Sequence, residues 1–337
     1  MAPDNQPPQP PRRSVVALGG GHGLYASLSA LRLLDVDVTA VVTVADDGGS
    51  SGRIRRELGV LPPGDLRMAL AALATGWVGE HNQSLPWSTV LQHRMGGAGA
   101  LAGHPIGNLL LTGLMELHDD AVSALADLAR LIGAHGTVLP MSPRPLDLIA
   151  DVASVDPDDA VQSRKIRGQS AIAATAGRVT SIALIPKNPP ACSEAVRAIM
   201  SADAVVLGPG SWFTSVIPHL LVPDLAEALV HTRATIVTIL NLEPQVGETD
   251  DFSPEEHLGV LSEHCPQLRV SAVIADRNGV ADPIGLRRYV DSLGARLVLA
   301  EVAAPGTAAR HDPSRLSLAL AEAARLHEAR SGTDRSC

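Results

Sequence analysis

The stretch of sequence that decides the fold reads Val41-Val42-Thr43-Val44-Ala45-Asp46-Asp47-Gly48-Gly49-Ser50-Ser51-Gly52-Arg53. Its first half is apolar and β-branched, which predicts a buried strand that ends at two carboxylates. Ligands in open α/β folds bind beyond the carboxyl ends of the strands, so the following loop is a candidate binding site. Its glycines allow close backbone approach, and the hydroxyls of Ser50 and Ser51 suit a phosphate or a sugar. An acidic turn without a ligand is the alternative.

On both sides of this stretch, apolar β-branched runs alternate with helical patterns. The predicted strands cover residues 14–18, 36–44, 146–152, 178–185, 204–207, 235–240, 270–274 and 294–302, with a further strand near Val138. The predicted helices cover residues 24–34, 65–74, 106–117, 121–132, 192–200, 225–231, 254–264 and 315–330. This βαβ rhythm predicts an α/β fold: a Rossmann-like, mostly parallel sheet with helices on both faces and a small additional helical and loop region.

The sequence predicts a single domain over residues 12–330. A proline-rich tail at 1–11 is expected to be disordered, and a polar tail follows at 331–337. Within the domain, residues 76–103 show the least periodic pattern, which is typical of either a functional lid or a disordered loop. The sequence leaves that choice open.

Composition argues against several classes of protein. The 337 residues carry a net charge of −9 and only 2% are aromatic, so the basic surface and stacking residues of nucleic-acid-binding proteins are missing. Three cysteines without a C-x-x-C spacing argue against a disulfide framework or a zinc site, and favour a reduced, cytoplasmic protein. Neither a signal peptide nor a membrane span is expected.

The first glycine loop, Gly19-Gly20-Gly21-His22-Gly23, follows the first predicted strand and opens a helix. The free backbone N–H groups and the dipole of a helix N-terminus can hold an anion there. A strict G-x-G-x-x-G fingerprint fails because Leu24 stands at the last glycine position, and no Lys-Ser or Lys-Thr pair completes a P-loop. The loop therefore favours a phosphate site that differs from that of an NADP-dependent dehydrogenase, with a tight turn as the alternative.

The second glycine loop, Gly208-Pro209-Gly210-Ser211, also follows a predicted buried strand. Thr214 and Ser215 lie about one helical turn further on, so their hydroxyls can face the same phosphate as the loop N–H groups. Trp212 and Phe213 either stack on a base or pack in the core. A plain turn is the alternative for the whole segment.

Other polar residues stand at predicted strand ends and helix starts. Asp65 is either the N-cap of its helix or a carboxylate that shares Mg²⁺ with Asp46 and Asp47, and the metal ligands are assigned to Asp47 and Asp65. Asn108 either caps the helix at 106–117 or meets a ligand.

The loop after the strand at 235–240 carries amides and an acid at the same expected edge of the sheet. The amides of Asn241 and Gln245 suit the edge of uracil or guanine, and Glu248 suits ribose hydroxyls. An acidic loop without a function is the alternative.

Together these motifs, with Gln245-Val246-Gly247-Glu248-Thr249-Asp250, resemble the YvcK-like gluconeogenesis-factor family, which belongs with the 2-phospho-L-lactate transferases called CofD. The resemblance covers residues 14–325. It implies a Rossmann-like cytoplasmic protein that binds a UDP-sugar such as UDP-N-acetylglucosamine or UDP-glucose. It also implies a regulatory role in cell shape and cell-wall synthesis during gluconeogenic growth, with regulators of wall synthesis as partners and no settled catalytic activity.

The family's motif positions correspond to a defined set in this chain: Gly19, Gly20, Gly21, His22, Gly23, Asp46, Asp47, Asp65, Asn108, Gly208, Pro209, Gly210, Ser211, Thr214, Ser215, Asn241, Gln245 and Glu248. Trp212-Phe213 replaces a tyrosine that the family has, and Arg310-His311-Asp312 is the nearest match to its arginine before a carboxyl-terminal His-Asp. The resemblance also admits a Mg²⁺-dependent, phospholactyl-type transferase, with Asp46, Asp47 and Asp65 as candidate catalytic residues. The preferred sugar and the oligomeric state, a homodimer included, stay open.

Overall fold

The computed structural model describes residues 12–79, 84–153, 163–175, 177–245, 248–249, 252–307 and 309–326. The two predicted tails, 1–11 and 331–337, lie outside the described residues. The strands are β1 Arg13–Gly19, β2 Val36–Val42, β3 Trp77–Val78, β4 Leu85–Pro86, β5 Thr137–Pro140, β6 Asp147–Ala153, β7 Ser163–Arg167, β8 Arg178–Ile185, β9 Ala204–Leu207, β10 Thr235–Ile239, β11 Ala272–Asp276 and β12 Arg296–Ala300. The helices are α1 Gly21–Leu31, α2 Gly49–Leu58, α3 Pro63–Leu73, α4 Trp87–Gln92, α5 Ile106–Leu117, α6 Ala121–Leu131, α7 Gln169–Ala173, α8 Ser193–Ser201, α9 Ile217–Leu220, α10 Pro223–His231, α11 Pro254–His264, α12 Pro283–Ser292 and α13 Pro313–Ala323, with a π-helical turn at Trp212–Val216 before α9.

The central sheet has seven parallel strands in the order β12-β11-β10-β9-β1-β2-β5. The chain builds outward from β1 through β2 to β5, then returns to the other side of β1 and continues from β9 to β12. The strand order therefore reverses between β1 and β9. Ligands in such sheets bind at this switch point, beyond the carboxyl ends of the strands. The predicted Rossmann-like parallel sheet is confirmed.

The sequence forms these strands because they are covered on both faces. Ala204–Leu207 and Ala272–Asp276 are buried along their whole length, which explains their continuous apolar runs. Helix α1 packs on both α3 and α13, and α8 packs on α10. The core of the molecule is the sheet between these helical layers.

Two small antiparallel sheets complete the fold. One has the order β7-β6-β8, and the other is the two-stranded pair of β3 and β4. The pair lies in the segment 76–103, for which a lid or a disordered loop was predicted. There it precedes α4, which packs on α3 and α5, while residues 80–83 lie outside the described part of the chain.

Several helices differ from prediction, and the short helices α4, α7 and α9 were not predicted. Gly49–Leu58, whose first residues were taken for a loop, forms helix α2. Helix propensity does not predict this helix, because glycine is a poor helix former, although good helix formers follow the glycines. Helix α3 begins at Pro63, so Asp65 stands in its first turn and is not the N-cap. Proline suits the first helical position because its missing N–H is not needed there. Helix α12 was not predicted at all.

In the part of the chain that the structure describes, no single helix has both the length and the apolar character needed to cross a membrane. One bent pair, Trp212–Leu220 and Pro223–His231 at 76°, meets that test when the two helices are taken together.

Candidate functional site

The two glycine loops meet at the switch point of the sheet. A Cβ atom placed on Gly23 would lie 2.0 Å from the carbonyl oxygen of Pro209, so only glycine allows this approach. The first loop follows β1 and the second follows β9, and these strands are hydrogen-bonded neighbours. The structure therefore brings together the two anion cradles that the sequence predicted separately.

A cavity of about 630 Å³ opens beside the two loops. It is lined by His22, Gly23, Tyr25, Ala26, Ser29, Met68, Gln92, Pro209, Gly210, Asn241, Leu242, Glu243, Pro244, Gln245, Ala309, Arg310, His311 and Pro313. Six of these residues were predicted from sequence, and they come from all three loops expected at this edge. The volume is in the range of small-ligand sites.

The first glycine loop directs the N-terminus of α1 toward this cavity. No side chain caps α1 at Gly20, and the first N–H groups of any helix lack partners within the helix. The N–H of Gly21 donates to the Asp65 carboxylate, while His22 and Gly23 line the cavity. This end of α1 can therefore receive an anion through its backbone and its dipole.

Asp65 lies directly beneath this loop. A Cβ atom on Gly20 would lie 2.7 Å from its Oδ2, which is buried without a hydrogen-bond partner. Burial first, and then the charge of Asp46, raise the pKa of Asp65 to about 7. Burial also raises the pKa of Asp46, against hydrogen bonds from Gly48 and Ser51 and a contribution from Arg67. Asp46 and Asp65 are thus a close carboxyl pair.

Asp47 points elsewhere. Its Oδ1 accepts a hydrogen bond from the backbone N–H of Ser170 in helix α7, at 2.9 Å. The structure therefore does not bring together Asp47 and Asp65, the predicted metal ligands. Asp46 is the neighbour of Asp65 instead. Among the described residues no group of three or more His, Cys, Asp or Glu side chains has the spacing to hold a metal ion.

Ser50 and Asn108 form a buried polar network with His104. The Ser50 hydroxyl lies 2.7 Å from His104 Nδ1 and accepts from Asn108 Nδ2 at 2.9 Å. Asn108 Oδ1 is buried without a partner. Asn108 stands in the first turn of α5, as predicted, but Pro105 is the N-cap of that helix and Asn108 has no capping role. Neither Ser50 nor Asn108 lines the cavity.

The second glycine loop is held from three sides by other parts of the protein. Ser27 donates to the carbonyl of Gly208 at 2.7 Å, and the Asn241 amide both accepts from Gly210 N at 2.8 Å and donates to Gly210 O at 2.9 Å. The hydroxyls of Ser211 and Thr214 both donate to Glu248, at 2.5 and 3.4 Å. These groups were predicted to face a ligand, and the structure pairs them internally.

The aromatic residues after this loop belong to the core. Trp212 and Phe213 are 0% and 2% exposed and make edge contacts with His257 and Phe252. Of the two roles considered, core packing is the one the structure shows, and neither ring reaches the cavity wall. Ser215 is also buried.

Arg310, His311 and Tyr25 are among the cavity-lining residues that were not predicted from sequence. Arg310 is exposed and lines the cavity. Burial lowers the pKa of His311 to about 4, and its Nε2 is buried without a partner. Tyr25 comes from α1, one turn beyond the first loop. The Arg-His-Asp run before the last helix was the available signal for the first two.

A model of the family described as 2-phospho-L-lactate transferase CofD matches residues 15–302 of this chain. The chain belongs to the CofD family. This confirms the family predicted from the glycine loops and the Asp-Asp-Gly-Gly-Ser-Ser-Gly motif.

Within the CofD family, the chain is similar to proteins named as gluconeogenesis factors. A "Putative gluconeogenesis factor" of Mycobacterium tuberculosis (strain ATCC 25618 / H37Rv) is 56% identical over 309 residues, which are 91% of this chain and 89% of that protein. A "Gluconeogenesis factor" of Listeria monocytogenes is 40% identical over 250 residues, covering 74% and 73% of the two chains. A crystal structure of a UPF0052 family member from Bacillus halodurans matches with a TM-score of 0.79 at 32% identity, over 92% of this chain and 98% of that one.

Proposed function

We propose that this chain binds a nucleotide sugar of the UDP-N-acetylglucosamine or UDP-glucose type and acts as a regulatory gluconeogenesis factor. In this role it supports cell shape and cell-wall synthesis during gluconeogenic growth, through regulators of wall synthesis. The observation that carries the proposal is the cavity at the switch point, because it joins the N-terminus of α1 to an arginine.

The cavity offers separate places for the diphosphate and the base of such a ligand. The diphosphate fits between the N-terminus of α1 and the guanidinium of Arg310, which supplies charge-assisted hydrogen bonds in an otherwise acidic protein. Tyr25, Leu242 and Pro244 offer apolar contact for a base, and the Gln245 amide offers a donor and an acceptor for its edge.

Magnesium fits this arrangement through Asp46 and Asp65. Mg²⁺ is usually held by one or two carboxylates together with phosphate oxygens. Burial is the main cause of the raised pKa values of Asp46 and Asp65, and the charge of Asp46 adds to the effect on Asp65, so a bound cation would favour the ionised form of both groups. Bound there, the ion would neutralise part of the charge of a diphosphate. Asp47 would not share it.

A second candidate function is a transferase of the 2-phospho-L-lactate type. It is favoured by the match to the CofD family model and by the carboxyl pair beside the first glycine loop. In that case a substrate hydroxyl would attack a diphosphate-linked donor near Asp46 and Asp65. The two candidates differ in whether the bound ligand is consumed.

Isothermal titration of the full chain with UDP-N-acetylglucosamine, with and without Mg²⁺, tests the proposal, with GDP and NADP as comparison ligands. Saturable binding selective for the UDP-sugar, with the ligand recovered intact by chromatography, is the expected result. Selective binding of GDP would favour the transferase, and no binding of any UDP ligand would overturn the proposed function.

A further inference from the structure

The carboxylate of Glu248 occupies the second glycine loop in the way that a bound anion would. It accepts from the hydroxyls of Ser211 and Thr214 and from the backbone N–H of Phe213, at the start of the helical segment Trp212–Leu220. Glu248 is only 3% exposed and does not line the cavity. A ribose contact, which the sequence suggested for Glu248, would need it to reach the cavity.

Glu248 also lies at the base of the turn that carries Gln245 into the cavity. The backbone N–H groups of Glu248 and Thr249 both donate to the Gln245 carbonyl, at 3.0 and 2.9 Å. The Gln245 N–H in turn donates to the Thr249 hydroxyl at 3.0 Å. One buried side chain thus joins two walls of the cavity, the Gln245 turn and the Gly210 loop.

We propose that Glu248 is a positioning residue, whose carboxylate replaces a ligand anion in the second glycine loop and sets the distance between Gly210 and Gln245. The ligand phosphates are then held by the first loop and Arg310, without a contribution from the second loop. This inference rests on the proposed function, since it assigns each loop a different part in nucleotide-sugar binding.

The test compares Glu248→Ala, Glu248→Gln and Glu248→Asp with wild type, and uses Glu227→Gln as a control acid exposed on α10. Affinity is measured for UDP and for 2′-deoxy-UDP. Hydrogen exchange of the peptide covering residues 209–216 is measured by mass spectrometry in the unliganded protein.

If Glu248 has a positioning role, Glu248→Ala should lower the affinity for both nucleotides by the same factor, about tenfold, because hydrogen bonds to a buried carboxylate are lost. Exchange at 209–216 rises in the free protein. Glu248→Gln, which keeps one acceptor at the same reach, falls between wild type and Ala, whereas Glu248→Asp is too short and resembles Ala. Glu227→Gln changes neither reading.

Two results would overturn the proposal. If affinity is lost for UDP only and exchange in the free protein is unchanged, Glu248 contacts the ribose. If neither the affinity nor the hydrogen exchange changes, Glu248 has no role in the site. If the Ala variant does not fold, Thr214→Val, which removes one donor at constant volume, is expected to move both readings in the same direction by less. Exchange is measured without ligand, so it tests Glu248 even if wild type binds no UDP compound.

Discussion

The two glycine loops look alike in sequence but differ in what surrounds them. Each follows a buried parallel strand and opens a helix at the switch point of the sheet. In the first, the Asp65 carboxylate accepts from the N–H of Gly21, while the next residues of α1, His22 and Gly23, line the cavity. The second has its carbonyls, N–H groups and hydroxyls paired with Ser27, Asn241 and Glu248.

This difference teaches that a glycine-rich turn after a strand is not by itself an anion site. What decides is whether neighbouring side chains already supply the partners that a ligand would bring. A buried carboxylate at a helix start satisfies the same N–H groups as a phosphate. We therefore propose that the first loop, where His22 and Gly23 line the cavity, binds the ligand and that the second supports the cavity wall.

The largest effect is expected from Gly23→Ala, which forces the loops apart. The added methyl would meet the Pro209 carbonyl at 2.0 Å, and neither backbone can move freely. We expect binding of UDP-N-acetylglucosamine to be lost beyond detection by titration calorimetry, together with destabilisation of about 1–3 kcal/mol. Gly113→Ala is the matched control, because nothing lies within 4 Å of a Cβ there. The control should be neutral or stabilising by about 0.5–1 kcal/mol. Unimpaired binding by Gly23→Ala would contradict the contact between the loops.

The next effect concerns the support of the first loop, and Asp65→Asn tests it through pH. The folded pKa of about 7 lies above the unfolded value, so the wild type loses stability as pH rises from about 4 to about 7. One such group changes the free energy of unfolding by at most about 1.4 kcal/mol per pH unit in this window. Asparagine keeps an acceptor for the Gly21 N–H and removes the titration. The free energy of unfolding of the variant, relative to that of wild type, should therefore increase between pH 5 and pH 8. Denaturant unfolding at both pH values measures this.

His219 and His311 do not disturb the Asp65 comparison. Their pKa values are lowered to about 4, chiefly by burial, so their contribution to stability is lost as pH falls toward 4, with the opposite sign. They are present in both proteins and cancel in the difference. Parallel stability curves for wild type and Asp65→Asn would show that Asp65 is ionised like an exposed carboxylate.

A smaller effect is expected from Arg310→Ala, which removes the cation opposite the first loop. Loss of a charge-assisted hydrogen bond to phosphate should weaken UDP-sugar binding about tenfold and reduce its salt dependence. Arg310→Lys should recover only part of the affinity, since a point charge cannot bind phosphate in a bidentate manner. Arg287→Ala, an exposed arginine on α12, is the control. Equal affinities for the two alanine variants would remove Arg310 from the site.

The smallest effect is expected from Ser27→Ala, which removes one hydrogen bond from the second loop. The Gly208 carbonyl loses its buried donor, so the free energy of unfolding should fall by about 0.5–1.5 kcal/mol. The affinity for the UDP-sugar should change less than threefold, because the cavity wall formed by the second loop shifts only slightly. Ser292→Ala is the control, because its hydroxyl donates to a carbonyl at an exposed position. A larger loss of affinity than for Arg310→Ala would reverse the roles assigned to the two loops.

The central sheet was predictable because its strands are short apolar runs with loop signals at their ends, whereas the two-residue strands β3 and β4 and the polar strand β7 were not predicted. Predicted and observed bounds are identical for Ile106–Leu117, Arg178–Ile185, Ala204–Leu207 and Pro254–His264. The misses have local causes. The start of α2 was missed because Gly48 and Gly49 are poor helix formers. Helix α3 begins at Pro63, two residues before Asp65, which was predicted to be its N-cap.

The sequence by itself determined the parallel sheet and the edge at which the candidate binding residues gather, because β-branched runs and glycine turns act through local physics. Its motifs also determined the family. Only the tertiary structure decided which partner each polar group takes. It paired Asp65 with Asp46 in place of Asp47, turned Trp212 into the core, and placed Glu248 in the second loop while Arg310 lines the cavity. These choices join residues far apart in the chain, and their energies depend on burial and on distances that no local pattern records.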